Sequence, residues 1–379
     1  KEFITKHTNQ KALRQANGLY RLLYCTNTSR ISTVSTTFKR KMEKRKVVVT
    51  GGAGYIGSHT CVLLLQRGFE VVVVDNFCNS KEEAVRRVEA LADQKVKVYR
   101  TNIQDESALD EVYATEAPVW ATIHFAALKA VGESVACPLQ YYSNNVGGAL
   151  SLLRVMEKHE CRRLVFSSSA TVYGAPERLP VSEDCAVRPT NPYGHTKRMM
   201  EQIMEDMCAA NKDLTVILLR YFNPIGAHPS GKIGENPNGI PNNLMPFVTQ
   251  VACGRRETLM VFGDDWPTPD GTGVRDYVHV MDLADAHVVA LEKVRTCGAS
   301  VYNIGTGQGY SVLDLVHGVE RACGKAIPYK VVGRRPGDVS TLYADVGKAN
   351  RELGWKAKLG LDDMCQDSWR WQHQNPNGL

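Results

Sequence analysis

From Lys46 onward the chain alternates short apolar runs with longer stretches of mixed character. The runs KVVVT, EVVVVD, KVKVY, ATIHF, RLVFSS and TVILLR have strand length and are rich in β-branched residues. Between them lie segments of helical length, among them GSHTCVLLLQRG, SKEEAVRRVEALAD and NVGGALSLLRVMEKH. Continuous Val, Ile and Leu, in place of apolar and polar alternation, is the pattern of strands buried on both faces. Six strands separated by helices predict an α/β protein built on a doubly wound parallel sheet.

After Arg220 the character changes. Residues 223–275 are rich in Pro, Gly and Asn, as in NPIGAHPSGKIGENPNGIPNN and DDWPTPDGTG, which is loop chemistry rather than further sheet. The helical pattern MDLADAHVVALEKV and the apolar VYNIG then return to the earlier style. This predicts a first domain over 46–222, rejoined by 276–308, and a smaller mixed α/β domain from 223–275 and 309–379. No internal repeat is visible.

The net charge of +6 is unevenly placed: residues 1–46 carry twelve Lys and Arg against two acids, so the other 333 residues sum to about −4. The body of the chain therefore does not present the basic surface of a nucleic-acid binder. The N-terminal segment (1–45) is basic, Ser/Thr-rich and without periodicity. It fits a disordered tail, an organelle transit peptide, or upstream-derived residues before a start at Met42. No apolar run reaches membrane-spanning length. Eleven cysteines lie singly, with no Cys-x-x-Cys pair, which indicates a reducing, cytoplasmic setting and excludes both a disulfide framework and a zinc spacing. His124 and His279 sit in apolar runs and read as core residues; no metal is expected.

In KVVVTGGAGYIGSHT, Gly51, Gly54 and Gly57 fall between the first strand and the first helix. Glycine there permits positive φ and close backbone approach, and the helix start offers free N–H groups to a pyrophosphate. The second strand ends in Asp75, where an acid binds ribose hydroxyls and repels a 2′-phosphate, favouring NAD over NADP in a Rossmann-type sheet. A phosphate-binding P-loop is the nearest competitor, but Ser58 and His59 stand where Lys and Ser/Thr are required.

Two further stretches belong to the carboxyl edge of the sheet, where ligands of open α/β sheets bind. FSSSATVYG places Ser169 at the end of the fifth strand, and FAALKAVGES follows the fourth. In PYGHTK, Tyr193 and Lys197 are four residues apart and share one helical face.

With GGAGYIGSHT, FAALKAVGES, FSSSATVYG, NPYGHTK, RYFNPIGAHPSG, PNNLMPFV, DGTGVRDYVHVMDLA and RRPGD, the chain from about Lys46 to its end resembles the extended short-chain dehydrogenase/reductases, and within them the UDP-galactose 4-epimerases. The resemblance implies an isomerase that interconverts UDP-galactose and UDP-glucose in galactose metabolism, with NAD as cofactor and a homodimeric state. It makes Tyr193 the general base, Lys197 its electrostatic partner and ribose ligand, and Ser169 the bridge to the sugar 4-hydroxyl.

The chemistry of these side chains is compatible with such roles. A phenol near pKa 10 is a poor base at neutral pH, and lowering it by ~3 units takes ~4 kcal/mol. One positive charge about 5 Å away supplies ~3 kcal/mol at an effective dielectric of ~20, so Lys197 and a cationic nicotinamide together suffice.

The resemblance also carries over the cofactor contacts: Tyr55 and Ile56 in the turn, Asp75, Asn76, Asn79 and Ser80, then Asn102, Ile103, Phe125, Ala126, Ala127, Lys129, Asn144 and Phe222. For the substrate it implies Asn223, Arg275 and Arg335 on the diphosphate, Asp338 on the ribose, and Asn243, Leu244, Met260, Val261 and Phe262 around the nucleotide. Lys129, isolated in an apolar stretch, is expected to need a phosphate or ribose partner.

Related dehydratases carry an Asp-Glu pair directly after the Ser/Thr. This chain has Ala170 and Thr171, which argues against elimination. Asn102 replaces the family's usual aspartate near the adenine, so binding should survive with altered strength. Leu342 is of intermediate size at a position lining the hexose pocket, which leaves N-acetylated sugars open. A net UDP-sugar oxidoreductase and a non-catalytic NAD-sensing protein are the alternatives.

Overall fold

All six apolar runs form strands in the computed structural model, which describes residues 45–294, 296–335 and 338–379. The basic N-terminal extension up to Lys44 lies outside the described residues. The strands are β1 (Lys46–Thr50), β2 (Glu70–Asp75), β3 (Lys97–Arg100), β4 (Ala121–His124), β5 (Arg163–Ser169) and β6 (Thr215–Tyr221). Seven more follow: β7 (Asn223–Ile225), β8 (Leu259–Phe262), β9 (Val274–His279), β10 (Gly298–Ile304), β11 (Gly309–Ser311), β12 (Tyr329–Val332) and β13 (Thr341–Leu342). The helices are α1 (Tyr55–Gln66), α2 (Glu82–Ala92), α3 (Glu106–Glu116), α4 (Val131–Ala136), α5 (Pro138–Tyr141), α6 (Gly148–Lys158), α7 (Pro192–Ala210), α8 (Leu244–Ala252), α9 (Val280–Lys293), α10 (Val312–Cys323) and α11 (Leu361–Gln374).

The main sheet runs β10-β6-β5-β4-β1-β2-β3, with every pairing parallel. Strand order reverses at the β1/β4 pair, so the crevice beyond their carboxyl ends is the topological switch point. The valines of β1 alternate between two cores. Val47 and Val49 face α1 and α9 through Leu64, Leu65 and Leu291, whereas Val48 joins Leu152, Met200 and Met204 of α6 and α7. Burying each such side chain stabilises the fold by about 1.5–3 kcal/mol before entropy is counted. β3 departs from the two-faced burial pattern: it is the sheet edge, and Val98 is 41% exposed.

The helix predicted from NVGGALSLLRVMEKH begins instead as a π-helical segment, Tyr142–Gly147. Within it lies Asn145, which is fully buried. The Asn145 Oδ1 accepts from Leu128 N at 2.8 Å, and Nδ2 donates to Leu128 O (3.0 Å) and to Thr196 Oγ1 (3.1 Å). The wider turn lets one side chain tie the loop after β4 to the start of α7. That helix is started by Asn191, whose Oδ1 accepts from Gly194 N at 2.8 Å, with Pro192 in the first helical position.

Residues 223–275 are not all loop. They contribute α8 and β8, which pack with α10 and α11 around Met245, Val248, Leu259, Val261, Leu315 and Met364. β8 pairs with β12, while β7, β11 and β13 join β9 in a small separate sheet.

His124 and His279 are 1% and 0% exposed, as expected of core residues. Burial pushes His59 and His124 down to about 3 and His287 to about 4. Folded, these imidazoles stay neutral; unfolded, they take up protons near pH 6.5. The unfolded chain then binds more protons below about pH 6.5, so stability falls as the pH drops from there toward about 4. Thermal unfolding followed across that range is expected to show a steadily falling midpoint. The fall should be shallower in a His287→Gln variant, and an equal slope there would remove His287 from the effect.

Candidate active site at the carboxyl edge of the sheet

The turn between β1 and α1 is shaped by contacts only glycine allows. Gly51 has φ +69°, and a Cβ there would lie 2.7 Å from the Ala126 nitrogen; a Cβ on Gly57 would lie 2.3 Å from the Gly51 carbonyl oxygen. α1 starts after Gly54 with no side-chain cap, which leaves its first-turn N–H groups to a ligand. The Tyr55 hydroxyl donates to the Gly226 carbonyl at 2.7 Å, and Ile56 packs on the core. What these two residues offer a ligand is backbone.

Asp75 is 6% exposed and already at work inside the protein. Its Oδ2 accepts from Ala53 N (3.0 Å), and its Oδ1 from Phe77 N (2.9 Å) and Ser80 Oγ (2.8 Å). It thereby joins the glycine turn to the loop carrying Asn76 and Asn79. Asn102 accepts from Gln104 N at 3.0 Å, and Ile103 is buried against Gly148. Phe125 lies 4.7 Å from the His287 ring, followed by half-buried Ala126 and Ala127. Asn144 donates to Asn145 Oδ1 at 2.9 Å. An uncapped helix start, a glycine cradle and an acid at the end of β2 together fit a dinucleotide.

Lys129 is not desolvated as its sequence neighbours suggest. Its side chain is 57% exposed and pairs with Glu235 at 2.9 Å, so it needs no phosphate to offset burial. Glu235 also accepts from Asn243 Nδ2 at 2.7 Å, linking a candidate cofactor residue to a candidate substrate residue. A lone acid in a loop carries no periodic signal, and sequence reasoning missed it.

Ser169, Tyr193 and Lys197 converge at the end of β5. The Ser169 Oγ accepts from Thr171 N (3.2 Å) and Thr171 Oγ1 (3.0 Å), which leaves its own proton to donate. Lys197 is 2% exposed; its Nζ donates to the Ser167 carbonyl at 2.6 Å and lies 5.8 Å from the Tyr193 ring centre. Burial draws Lys197 down to about 7, with Glu201 opposing. Burial also raises Tyr193 to about 12, and a hydrogen bond with Ser169 pulls the other way. The polypeptide without the nicotinamide charge thus holds the phenol above its ordinary value, because desolvation outweighs the Ser169 hydrogen bond.

The substrate candidates form a second group. Arg275 Nη2 is 3.6 Å from Asp338 Oδ1, Asp338 Oδ2 is 3.8 Å from Arg335 Nε, and the Arg335 guanidinium is 4.7 Å from the Phe262 ring. Leu342 stands opposite Arg275 in the β13–β9 register. It also packs on the cluster of Phe222, Ala170 and Tyr173, which adjoins Ser169. Along β8 only Met260 and Phe262 face outward; Val261 is 1% exposed and belongs to the core. Asn223 is exposed at the start of β7, and Asn243 with Leu244 opens α8. Among the described residues no cluster of His, Cys, Asp or Glu has the arrangement of a metal site.

The family model described as GDP-mannose 4,6 dehydratase matches residues 48–368. The UDP-glucose 4-epimerase of Bacillus subtilis (strain 168) is 59% identical over 333 residues, covering 88% of this chain and 98% of its own length. The human UDP-glucose 4-epimerase is 55% identical over 345 residues, with the same two shares. Among solved structures, UDP-glucose 4-epimerase from Bifidobacterium longum in complex with NAD+ and UDP superposes with a TM-score of 0.86 at 51% identity, covering 88% of this chain and all of that one.

A Gly51→Ala variant adds a methyl against the Ala126 backbone and holds alanine at positive φ. It is expected to cost about 1–3 kcal/mol of stability in denaturant unfolding. A loss below about 0.5 kcal/mol would mean that the turn relaxes.

Proposed function

The chain belongs to the UDP-glucose 4-epimerases, and on that premise we propose that it interconverts UDP-galactose and UDP-glucose through a bound 4-keto sugar. The observation that carries the reading is the meeting of Tyr193, Lys197 and Ser169 beside the glycine turn, with no carboxylate at the two positions after Ser169. Ala170 is buried, and Thr171 spends its hydroxyl on Ser169. A carbon-bound proton would find no base there, which disfavours the dehydration chemistry of other family members.

NAD is the cofactor; held by the Gly51–Gly57 turn, the start of α1 and Asp75, it would supply reversible hydride transfer with C4 of the sugar. Tyr193 takes the 4-hydroxyl proton through Ser169 and later gives it back. Lys197 keeps positive charge beside the phenolate. Arg275 and Arg335, partnered at long range by Asp338, are the ligands for the diphosphate. Anchoring at the nucleotide leaves the hexose free to present either face. The 46–222 segment with 276–308 carries the cofactor, and the remaining C-terminal segments carry the UDP-sugar. A homodimer through exposed Val135, Leu139 and Met199 completes the reading. A cytoplasmic setting suits the ten unpaired cysteines among the described residues. No helix among those residues is long and apolar enough to cross a membrane.

Purified protein given UDP-galactose without added NAD is expected to form UDP-glucose. No product even with NAD supplied would overturn the reading, and accumulating reduced cofactor with keto sugar would favour a net oxidoreductase. Tyr193→Phe is expected to lower turnover at least ~100-fold. A Leu342→Gly variant is expected to raise turnover of UDP-N-acetylglucosamine relative to UDP-galactose by about tenfold, read by coupled assay of both sugars.

A further inference from the structure

Behind the Tyr193–Lys197 pair lies a carboxylate with no part in the chemistry above. Glu201 is 0% exposed and stands one helical turn beyond Lys197 on α7. Its Oε1 accepts from Ser168 Oγ (2.6 Å) and Arg220 Nε (2.9 Å), and its Oε2 from Arg220 Nη2 (2.7 Å). Arg198 Nη1 approaches Oε2 at 3.4 Å. Arg220, 3% exposed, is itself held: its Nη1 donates to Tyr173 Oη (3.0 Å), which donates to Asn303 Oδ1 (2.7 Å). With both oxygens engaged, the carboxylate is fixed, and Lys197 gives its hydrogen bond to the Ser167 carbonyl.

We propose that Glu201 is a positioning residue for Lys197: pinned by Ser168 and Arg220, it sets a fixed negative charge behind the ammonium without drawing it away from Tyr193. The inference rests on Tyr193 being the base. The three serines that end β5 then divide the work: the Ser167 carbonyl seats the lysine, the Ser168 hydroxyl tethers Glu201, and the Ser169 hydroxyl faces Tyr193.

Lys197 is faced by Tyr193 and Glu201 from its own helix, by Phe166 and the Ser167 carbonyl from β5, and by His124 from β4. His124 is kept neutral by burial and by the charge of Lys197. Arg220, Tyr173 and Arg198 address Glu201 or one another, and Arg198 also reaches Glu205. The Glu133–Tyr141 pair from α4 and α5 is on the Tyr193 side. Within this set Glu201 is what opposes the pull of burial on Lys197, which would otherwise lose its proton at lower pH.

The test compares the pH profile of turnover in the wild-type holoenzyme, in Glu201→Gln, and in Glu201→Gln combined with Arg220→Met, which leaves no uncompensated guanidinium where Glu201 stood. Near pH 6 the double variant should turn over within about threefold of wild type, whereas its alkaline limb should shift down by about one unit, a roughly tenfold loss on that limb. Glu201→Gln alone should shift the limb further, since the Arg220 charge is then uncompensated. A merely structural role lowers the unfolding midpoint without moving the limb. An unchanged limb in either variant that unfolds cooperatively overturns the proposal while the base reading stands. A wild-type protein without epimerase activity would overturn the base reading first.

Discussion

Seating an ammonium out of water beside a phenol is the constraint that organises the centre of this molecule. Lys197 is 2% exposed, and burial is the main influence on both it and Tyr193. Desolvation of one unpaired charge is expensive unless hydrogen bonds and nearby charge answer it. The answer comes from the carbonyl at the end of β5 and the carboxylate one turn along α7, which Arg220 on β6 holds in place. Each element is fixed by the parallel sheet, with Ser167 opposite Leu219 and Ser168 opposite Arg220 in the β5–β6 register. A slip of that register by one residue would turn Arg220 to the other face of the sheet and leave Glu201 unpaired.

The same edge explains why the glycine turn and the tyrosine helix meet. β1 and β4 are adjacent although far apart in sequence, because the strand order reverses between them. The loop after β4 is therefore pressed against Gly51 from one side. From the other it is tied through Asn145 to Thr196, between Tyr193 and Lys197. The π-helical turn that Asn145 occupies is the backbone adjustment that makes the tie possible.

The strands, the helix order and the glycine turn were legible in the sequence because each depends on local pattern: apolar runs, 3.6-residue spacing, and glycine at a strand-to-helix junction. The family motifs named the residues of the candidate site. What stayed hidden depends on tertiary packing. Lys129 looked desolvated from its neighbours along the chain, but Glu235, more than a hundred residues away, pairs with it at an exposed position. The family resemblance groups Val261 with Met260 and Phe262, and strand alternation turns its side chain to the core. The reading of 223–275 as loop chemistry missed α8 and β8, whose apolar faces are completed by α10 and α11. No local pattern marks Glu201 and Arg220, which only the packing of α7 on the sheet brings together.

The two groups of candidate residues also differ in how firmly the protein holds them. Around Lys197 the donors are within 2.6–3.0 Å and nearly all buried, which is a site that resists rearrangement. Around Asp338 the two arginines stand at 3.6 and 3.8 Å, too long for good hydrogen bonds, and Arg335 is 54% exposed. Long, partly solvated ion pairs contribute about 0–1 kcal/mol and are readily exchanged. A diphosphate bound there as proposed, with short bidentate contacts, would take both guanidinium groups from Asp338 at little cost. Tight packing around Lys197 and loose pairing around Asp338 are two uses of one rule: a polar group is held as firmly as its water has been removed.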